Sequence, residues 1–162
     1  MDHAPRTDRI ALVVDDDAFV LSAMAELLSE EGYDVHTSSN GFSALRRAAE
    51  YRPVVILLDL VLPERSGGDV LAELRADPAT RDIAVVLVTG NPQFLTEAQI
   101  AEADGVVLKP FDVDELLQTV YRAIQKAANR RAEVVPVAAM AHRLQTSRQR
   151  RATATRRTRG RR

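Results

Sequence analysis

Four apolar runs in this chain each end in residues that could handle a charged oxygen ligand. Asp15-Asp16-Asp17 follow residues 10–14, Asp59 follows 54–58, Thr89 follows 83–88, and Lys109-Pro110 follow 106–108. Carboxylates brought together repel, so one must take a proton or a cation must be present. Oxygen donors with no sulfur or histidine suit Mg2+, which keeps several waters and uses few protein carboxylates. A cation and a lysine on opposite sides of one carboxylate can neutralise the oxygens of a transferring phosphoryl group. The carboxylate between them is then the nucleophile. Taken singly, each stretch also fits a plainer role: Asp15–Asp17 a turn with an N-cap, Asp59 a turn residue, Thr89 a loop threonine, Lys109-Pro110 a stiff strand end. Their appearance in order, at four predicted strand ends, is what singles out the combination.

These residues converge only if the strands are neighbours, and the pattern between them predicts that. Val20, Met24, Leu27 and Leu28 lie at helical spacing. Residues 35–37 form a short strand, and Asn40-Gly41 opens a second helix containing Leu45 and Ala49. Pro53 bars continuation, and 54–58 is the most apolar run. Val70, Leu71 and Leu74 indicate a third helix after Gly67-Gly68. Asn91, Pro92 and a ragged apolar pattern make the fourth helix, within 91–104, short or irregular, with Phe94-Leu95 read as core. Asp112 and Glu115 form a capping-box pattern before Val113, Leu116, Leu117, Val120 and Ile124 of the last helix. Fully apolar strands belong where helices cover both faces of a parallel sheet. Five βα units with right-handed crossovers give a three-layer sandwich, whose ligands bind beyond the carboxyl strand ends.

The 162 residues, 46% hydrophobic, suit one domain and an appendage. The absence of cysteine excludes disulfides and thiolate metal sites. Residues 1–9 lack the pattern of a signal peptide, and no run reaches membrane-spanning length, so the reading is soluble and cytoplasmic, without membrane insertion. Residues 1–128 carry 22 acidic and 11 basic side chains; residues 129–162 carry Glu133 against 11 arginines. The expected domains are therefore a flexible N-terminus over 1–8, a folded body over 9–128 and an Arg-rich tail over 129–162. Residues 143–162 hold nine arginines, no acid and no aromatic residue. Disorder is expected there, with a solvated tail, weak nucleic-acid or polyanion contact, and folding back over the acidic body as alternatives. Residues 134–144 could form a short docking segment, and no sequence-specific DNA-binding domain fits. His3, His36 and His142 lack metal spacing, and Ser66-Gly67-Gly68 lacks the lysine of a P-loop.

The combined pattern resembles a two-component response regulator receiver domain of the stand-alone, chemotaxis-regulator-like kind. Residues 12–17 (LVVDDD) resemble the family's first strand and acidic pair. Residues 57–63 (LLDLVLP), with Gly67 beyond, resemble the phosphoacceptor strand and loop; Val88-Thr89-Gly90 the switch hydroxyl motif; and residues 108–111 (LKPF) the lysine motif. The resemblance covers about residues 8–128. It implies a flavodoxin-like, doubly wound sheet of five parallel strands in the order 2-1-3-4-5 with five helices. It further implies that Asp59 takes a phosphoryl group from a sensor histidine kinase or phosphotransfer protein, or slowly from a small donor. Asp16 would bind Mg2+ directly, Asp15 mainly through water, and Asp59 and the Val61 carbonyl would complete the protein ligands. Lys109, preceding a cis Lys109–Pro110 bond, would hold a phosphoryl oxygen, and Thr89 would swing its hydroxyl to it. Asp17 would sit at the rim or cap the helix. Output would pass by protein contact to a downstream target that the sequence does not name. The chain would not be an enzyme in the turnover sense.

Departures from the family pattern cluster on one side. Val106 stands where the family commonly has an aromatic rotor, the Thr89-to-Lys109 interval is about two residues short, and Glu102 replaces a common glycine. An atypical output surface is expected. Val61 and Asn91 occupy the positions that tune hydrolysis in the family, and an apolar Val61 implies a long-lived acyl phosphate. Two rivals remain. An aspartate-nucleophile phosphatase would resemble Asp-x-Asp, but Val61 fills its second position. A phosphate-independent receiver-like interaction module with a polyanion-binding tail is the other.

Overall fold

β-branched and leucine-rich runs make up most of the strands β1 (Ile10–Val14), β2 (Asp34–Ser38), β3 (Val55–Leu58), β4 (Ala84–Thr89) and β5 (Gly105–Leu108) in the computed structural model, which describes residues 8–133. The strands pair in parallel in the order β2-β1-β3-β4-β5. This is the flavodoxin-like sheet expected from sequence, and its order reverses beside β1, where such folds bind ligands. Register aligns the carboxyl ends: Val14 lies opposite Leu58, Leu58 opposite Leu87, and Thr89 opposite Leu108.

The helices are α1 (Ala18–Glu30), α2 (Gly41–Tyr51), α3 (Gly67–Ala76), α4 (Glu97–Glu102) and α5 over residues 113–133. Polar side chains satisfy each first turn. The Asp17 carboxylate accepts from the Phe19 and Val20 amides, Asn40 from Ser43, and Ser66 from Asp69. Thr96 and Gln99 form a reciprocal capping box, and Asp112 accepts from the Asp114 and Glu115 amides.

Alternation along the strands divides the core. Ala11, Val13, Val55, Leu57, Val86 and Val107 face Met24 and Leu28 of α1 and Leu116, Val120 and Ala123 of α5. Leu12, Val14, Ile56, Leu58, Val85 and Leu87 face Ala44 and Ala48 of α2 and Val70, Leu71 and Leu74 of α3. All four β3 side chains are essentially inaccessible, each worth about 1.5–3 kcal/mol of burial. That rigid floor carries Asp59.

One expectation needs correction. α2 contains Leu45 and Ala49 as expected, with Gly41, Ala44 and Ala48 as its buried stripe. Phe94, expected in the core, is 58% exposed. It ends a 3-10 turn, Pro92–Phe94, too short to bury two adjacent side chains, so Leu95 packs on the α2/α3 layer and Phe94 turns outward. The short fourth helix was anticipated: α4 has 6 residues. His3, His142, the 134–144 segment and the Arg-rich stretch 143–162 lie outside the described residues.

Candidate functional site

Three strands, β1, β3 and β5, are each extended one residue at the carboxyl edge by a backbone hydrogen bond to a neighbour. The Asp15 amide donates to the Ser38 carbonyl (3.1 Å), that of Asp59 to Val14 (3.0 Å), and that of Lys109 to Thr89 (2.9 Å). The functional residues thus stand on the sheet itself, not on free loops.

Their side chains converge as the sequence predicted. Lys109 Nζ donates to Asp15 Oδ2 at 2.6 Å and to Asp59 Oδ2 at 3.1 Å, bridging residues 94 and 50 positions away. The second oxygens are held locally: Asp15 Oδ1 accepts from the Asp17 amide (2.9 Å), and Asp59 Oδ1 from the Val61 amide (3.2 Å). Asp15 is inaccessible and Asp59 nearly so, whereas Asp16 is exposed and, among the described residues, its carboxylate has no hydrogen-bond or ion-pair partner. One oxygen each from Asp15, Asp16 and Asp59 lies within 4.8 Å of the others.

Three carboxylates facing one ammonium leave the pocket with excess negative charge. Burial pushes the Asp59 carboxyl above its ordinary value, against the pull of Lys109 and of the Val61 amide. For Lys109 burial works against the charged form, but the hydrogen bond to Asp15 and the attraction of Asp59 prevail, holding the ammonium above its ordinary value. The lysine is therefore charged throughout the neutral range. An all-oxygen cluster with uncommitted lone pairs fits a hard divalent cation such as Mg2+.

Thr89 ends β4 at the same carboxyl edge, where its carbonyl accepts from the Lys109 amide. Its hydroxyl is inaccessible and accepts from the Asn91 amide at 3.0 Å, with its proton still available to donate. The Lys109–Pro110 bond is cis, as expected. Asp17 caps α1 and stands outside the cluster of carboxylate oxygens. Val106 is half-buried against the α2/α3 layer, an aliphatic side chain where an aromatic one was the pattern. His36 stacks on Tyr51, with ring centroids 4.0 Å apart, remote in role from the acidic cluster.

Two contributors had only faint sequence signals. The Val61 amide fixes one acceptor oxygen, a backbone role independent of side-chain type. Gly67 lets the start of α3 come up beneath the acceptor. Its amide donates to the Leu60 carbonyl at 2.8 Å, and a Cβ there would collide with the Asp59 carbonyl.

Comparison with known proteins agrees with this geometry. The pattern of the response regulator receiver domain matches residues 11–121. The transcriptional regulatory protein KdpE of Mycobacterium tuberculosis is 40% identical over 117 residues, 72% of this chain and 51% of the relative. The DNA-binding regulator RpaA of Synechocystis is 35% identical over 130 residues, 79% of this chain and 52% of the relative. The chain thus spans about half the length of these relatives. Among solved structures, the response regulator TrrA of Thermotoga maritima, in complex with Mg(2+)-BeF, has a TM-score of 0.66 at 31% identity, covering 71% of this chain and 98% of that one. The receiver domain of the Pseudomonas aeruginosa sensor histidine kinase PA1611, with magnesium coordinated in its active site cleft, has a TM-score of 0.66 at 26% identity, covering 72% and 98%. With the sheet order, the acidic cluster and the bridging lysine all in agreement, the chain belongs to the response regulator receiver domain family of two-component signalling.

Proposed function

We propose that Asp59 accepts a phosphoryl group from the phosphohistidine of a sensor histidine kinase or phosphotransfer protein, and that the modified chain signals by protein contact. The observation that carries this reading is the Lys109 bridge, which fixes an ammonium between two buried carboxylates, Asp15 and Asp59. A carboxylate oxygen of Asp59 forms the bond to phosphorus as the donor's P–N bond breaks, and the imidazole leaves with the electron pair and takes up a proton. The Val61 amide orients the attacking carboxylate. Lys109 turns to a phosphoryl oxygen while keeping Asp15 as its anchor. Thr89 donates its hydroxyl proton to another phosphoryl oxygen, which draws on the loop that Asn91 begins.

Asp16 directly, Asp15 through water, Asp59 and the Val61 carbonyl are the residues that would hold Mg2+. When bound, the ion supplies positive charge that offsets charge on the phosphoryl oxygens. Val61 is 44% exposed and apolar, so it cannot orient an attacking water or act as the general acid of a phosphatase. A slowly hydrolysed acyl phosphate follows, and a phosphoryl half-life of seconds with Mg2+ present would contradict it. Residues 129–162, with 11 arginines against Glu133, suit weak, salt-sensitive contact with nucleic acid or another polyanion.

Beryllofluoride with Mg2+ tests the acceptor directly. Amide shifts around Asp59, Thr89 and Lys109 are expected in the wild type and not in Asp59→Asn. Equal shifts in both would remove Asp59 from the role.

A further inference from the structure

The loop between Asp59 and α3 bends tightly. The Arg65 amide donates to the Pro63 carbonyl at 2.7 Å, closing a three-residue turn, and Glu64 at its centre has φ 66°. A residue other than glycine is strained there, and such a turn persists only where its surroundings hold it. Two holds are ordinary: Leu62 packs on the α2/α3 layer, and the Gly67 amide bonds the Leu60 carbonyl. The Arg65 side chain is a third. Its guanidinium pairs with Glu73 in the second turn of α3 and lies 5.1 Å from the centroid of the Phe42 ring at the start of α2. Gly41 brings α2 near enough for this, since a Cβ there would stand 3.1 Å from Arg65 Cβ and 2.9 Å from Val70. Neither the two core clusters nor the acidic pocket includes Arg65, Glu73 or Phe42.

We infer that Arg65 is a positioning residue for the acceptor: it clasps the loop to α2 and α3 and so keeps Val61 in place beside Asp59. The inference rests on Asp59 being the acceptor and adds what holds the acceptor's loop. Val61 lies four residues before Arg65, and its amide fixes Asp59 Oδ1. Asp59 itself is tied to the sheet through Val14, so the span between it and the strained turn is short. Without the clasp the strained turn relaxes, and residues 61–64 sample other conformations. Only the fraction of molecules with Val61 in place then orients the acceptor carboxylate. Arginine suits this task because a planar guanidinium can lie over a ring while its edge bonds a carboxylate, a combination an ammonium makes less well.

The test follows two readouts on the full chain. Without metal, amide hydrogen exchange at Val61 and Gly67 is expected to quicken about 2- to 10-fold in Arg65→Met, the size of one exposed ion pair with one surface arginine–aromatic contact. Exchange at Asp59, bonded to Val14, should stay at the wild-type rate. With Mg2+ and acetyl phosphate, labelling of Asp59 read by intact mass is expected to slow by a similar factor. Arg65→Lys should recover part of both effects. Glu73→Gln and Phe42→Leu should each give a smaller loss, and neither should add to Arg65→Met, where the clasp is already gone. Arg9→Ser removes a comparable contact, with Tyr33 at 4.5 Å, from the amino edge of the sheet and should leave both readouts unchanged. Wild-type labelling in Arg65→Met, or full additivity with Glu73→Gln, would overturn the clasp while leaving Asp59 as the acceptor. Equal labelling of wild type and Asp59→Asn would instead refute the acceptor reading beneath it.

Discussion

Opposite ends of β4 each carry a buried ion-pair cluster, and the two are built differently. At the amino end, Arg75 (side chain 16% exposed) pairs with Asp104 (1%) at 3.0 Å. Its other donors go to the carbonyls of Glu102, Arg81 and Ile83, while Asp104 also accepts from the Val85 amide. These bonds fasten α3, β4 and the end of α4 together. At the carboxyl end, one lysine faces Asp15 and Asp59, with Asp16 alongside. Charge is out of balance there, and carboxylate oxygens remain unclaimed. A cluster whose donors reach backbone carbonyls on several elements is a fastening. An unbalanced one is prepared for a guest.

The contrast is broken most severely at the fastening. Arg75→Met removes the guanidinium from a buried carboxylate and three carbonyls, and is expected to cost about 3–5 kcal/mol in urea denaturation. At the receiving end, Lys109→Met leaves two buried carboxylates without their ammonium, and a loss of about 1–3 kcal/mol is expected. Mg2+ should recover part of that loss, whereas it should do nothing for Arg75→Met; equal responses would erase the distinction.

Smaller effects sharpen the comparison. For the wild type, Mg2+ at tenfold its dissociation constant should stabilise the fold by about 1.4 kcal/mol by linkage, read as a rise in Tm, with a reduced effect in Asp59→Asn. Without metal, the sign at Asp59 reverses the usual carboxylate case. Its folded-state pKa is raised by burial, so its contribution to stability is present below the ordinary Asp value and is lost as pH rises through the folded one. Asp59→Asn should therefore raise the metal-free Tm at neutral pH, and a lowered Tm would contradict the burial argument. Lys109, also raised, contributes below the ordinary lysine range and loses that contribution only as pH climbs through its higher folded value. The Tm difference between the metal-free wild type and Lys109→Met should accordingly persist up to the ordinary lysine range and shrink only above it, and a difference lost at lower pH would contradict the pairing.

What could be read from sequence follows the same division. Val14, Leu58 and Thr89 end strands whose two-sided burial forces unbroken apolar runs, so Asp15, Asp59 and the threonine were visible as interruptions. Lys109 was visible in the same way, as the charged end of the 106–108 run, and only the cis form of its bond to Pro110 came from the family resemblance. The Arg75 fastening was not visible, because two of its partners lie 27 and 29 residues away at the end of α4 and the following turn, and the others are backbone carbonyls, which every residue possesses. Phe94 was misplaced for a related reason. Adjacent apolar residues after Pro92 have no helical period to say which one faces inward, and a three-residue turn buries only Leu95.

The most direct measurement is the intact mass of the full chain after incubation with acetyl phosphate and Mg2+, followed by borohydride reduction and peptide mapping to locate the acyl phosphate. One phosphoryl group on Asp59 in the wild type, none in Asp59→Asn, and greatly slowed addition in Lys109→Met is the predicted result. An unmodified wild type, or the same modification surviving in Asp59→Asn, would contradict the account.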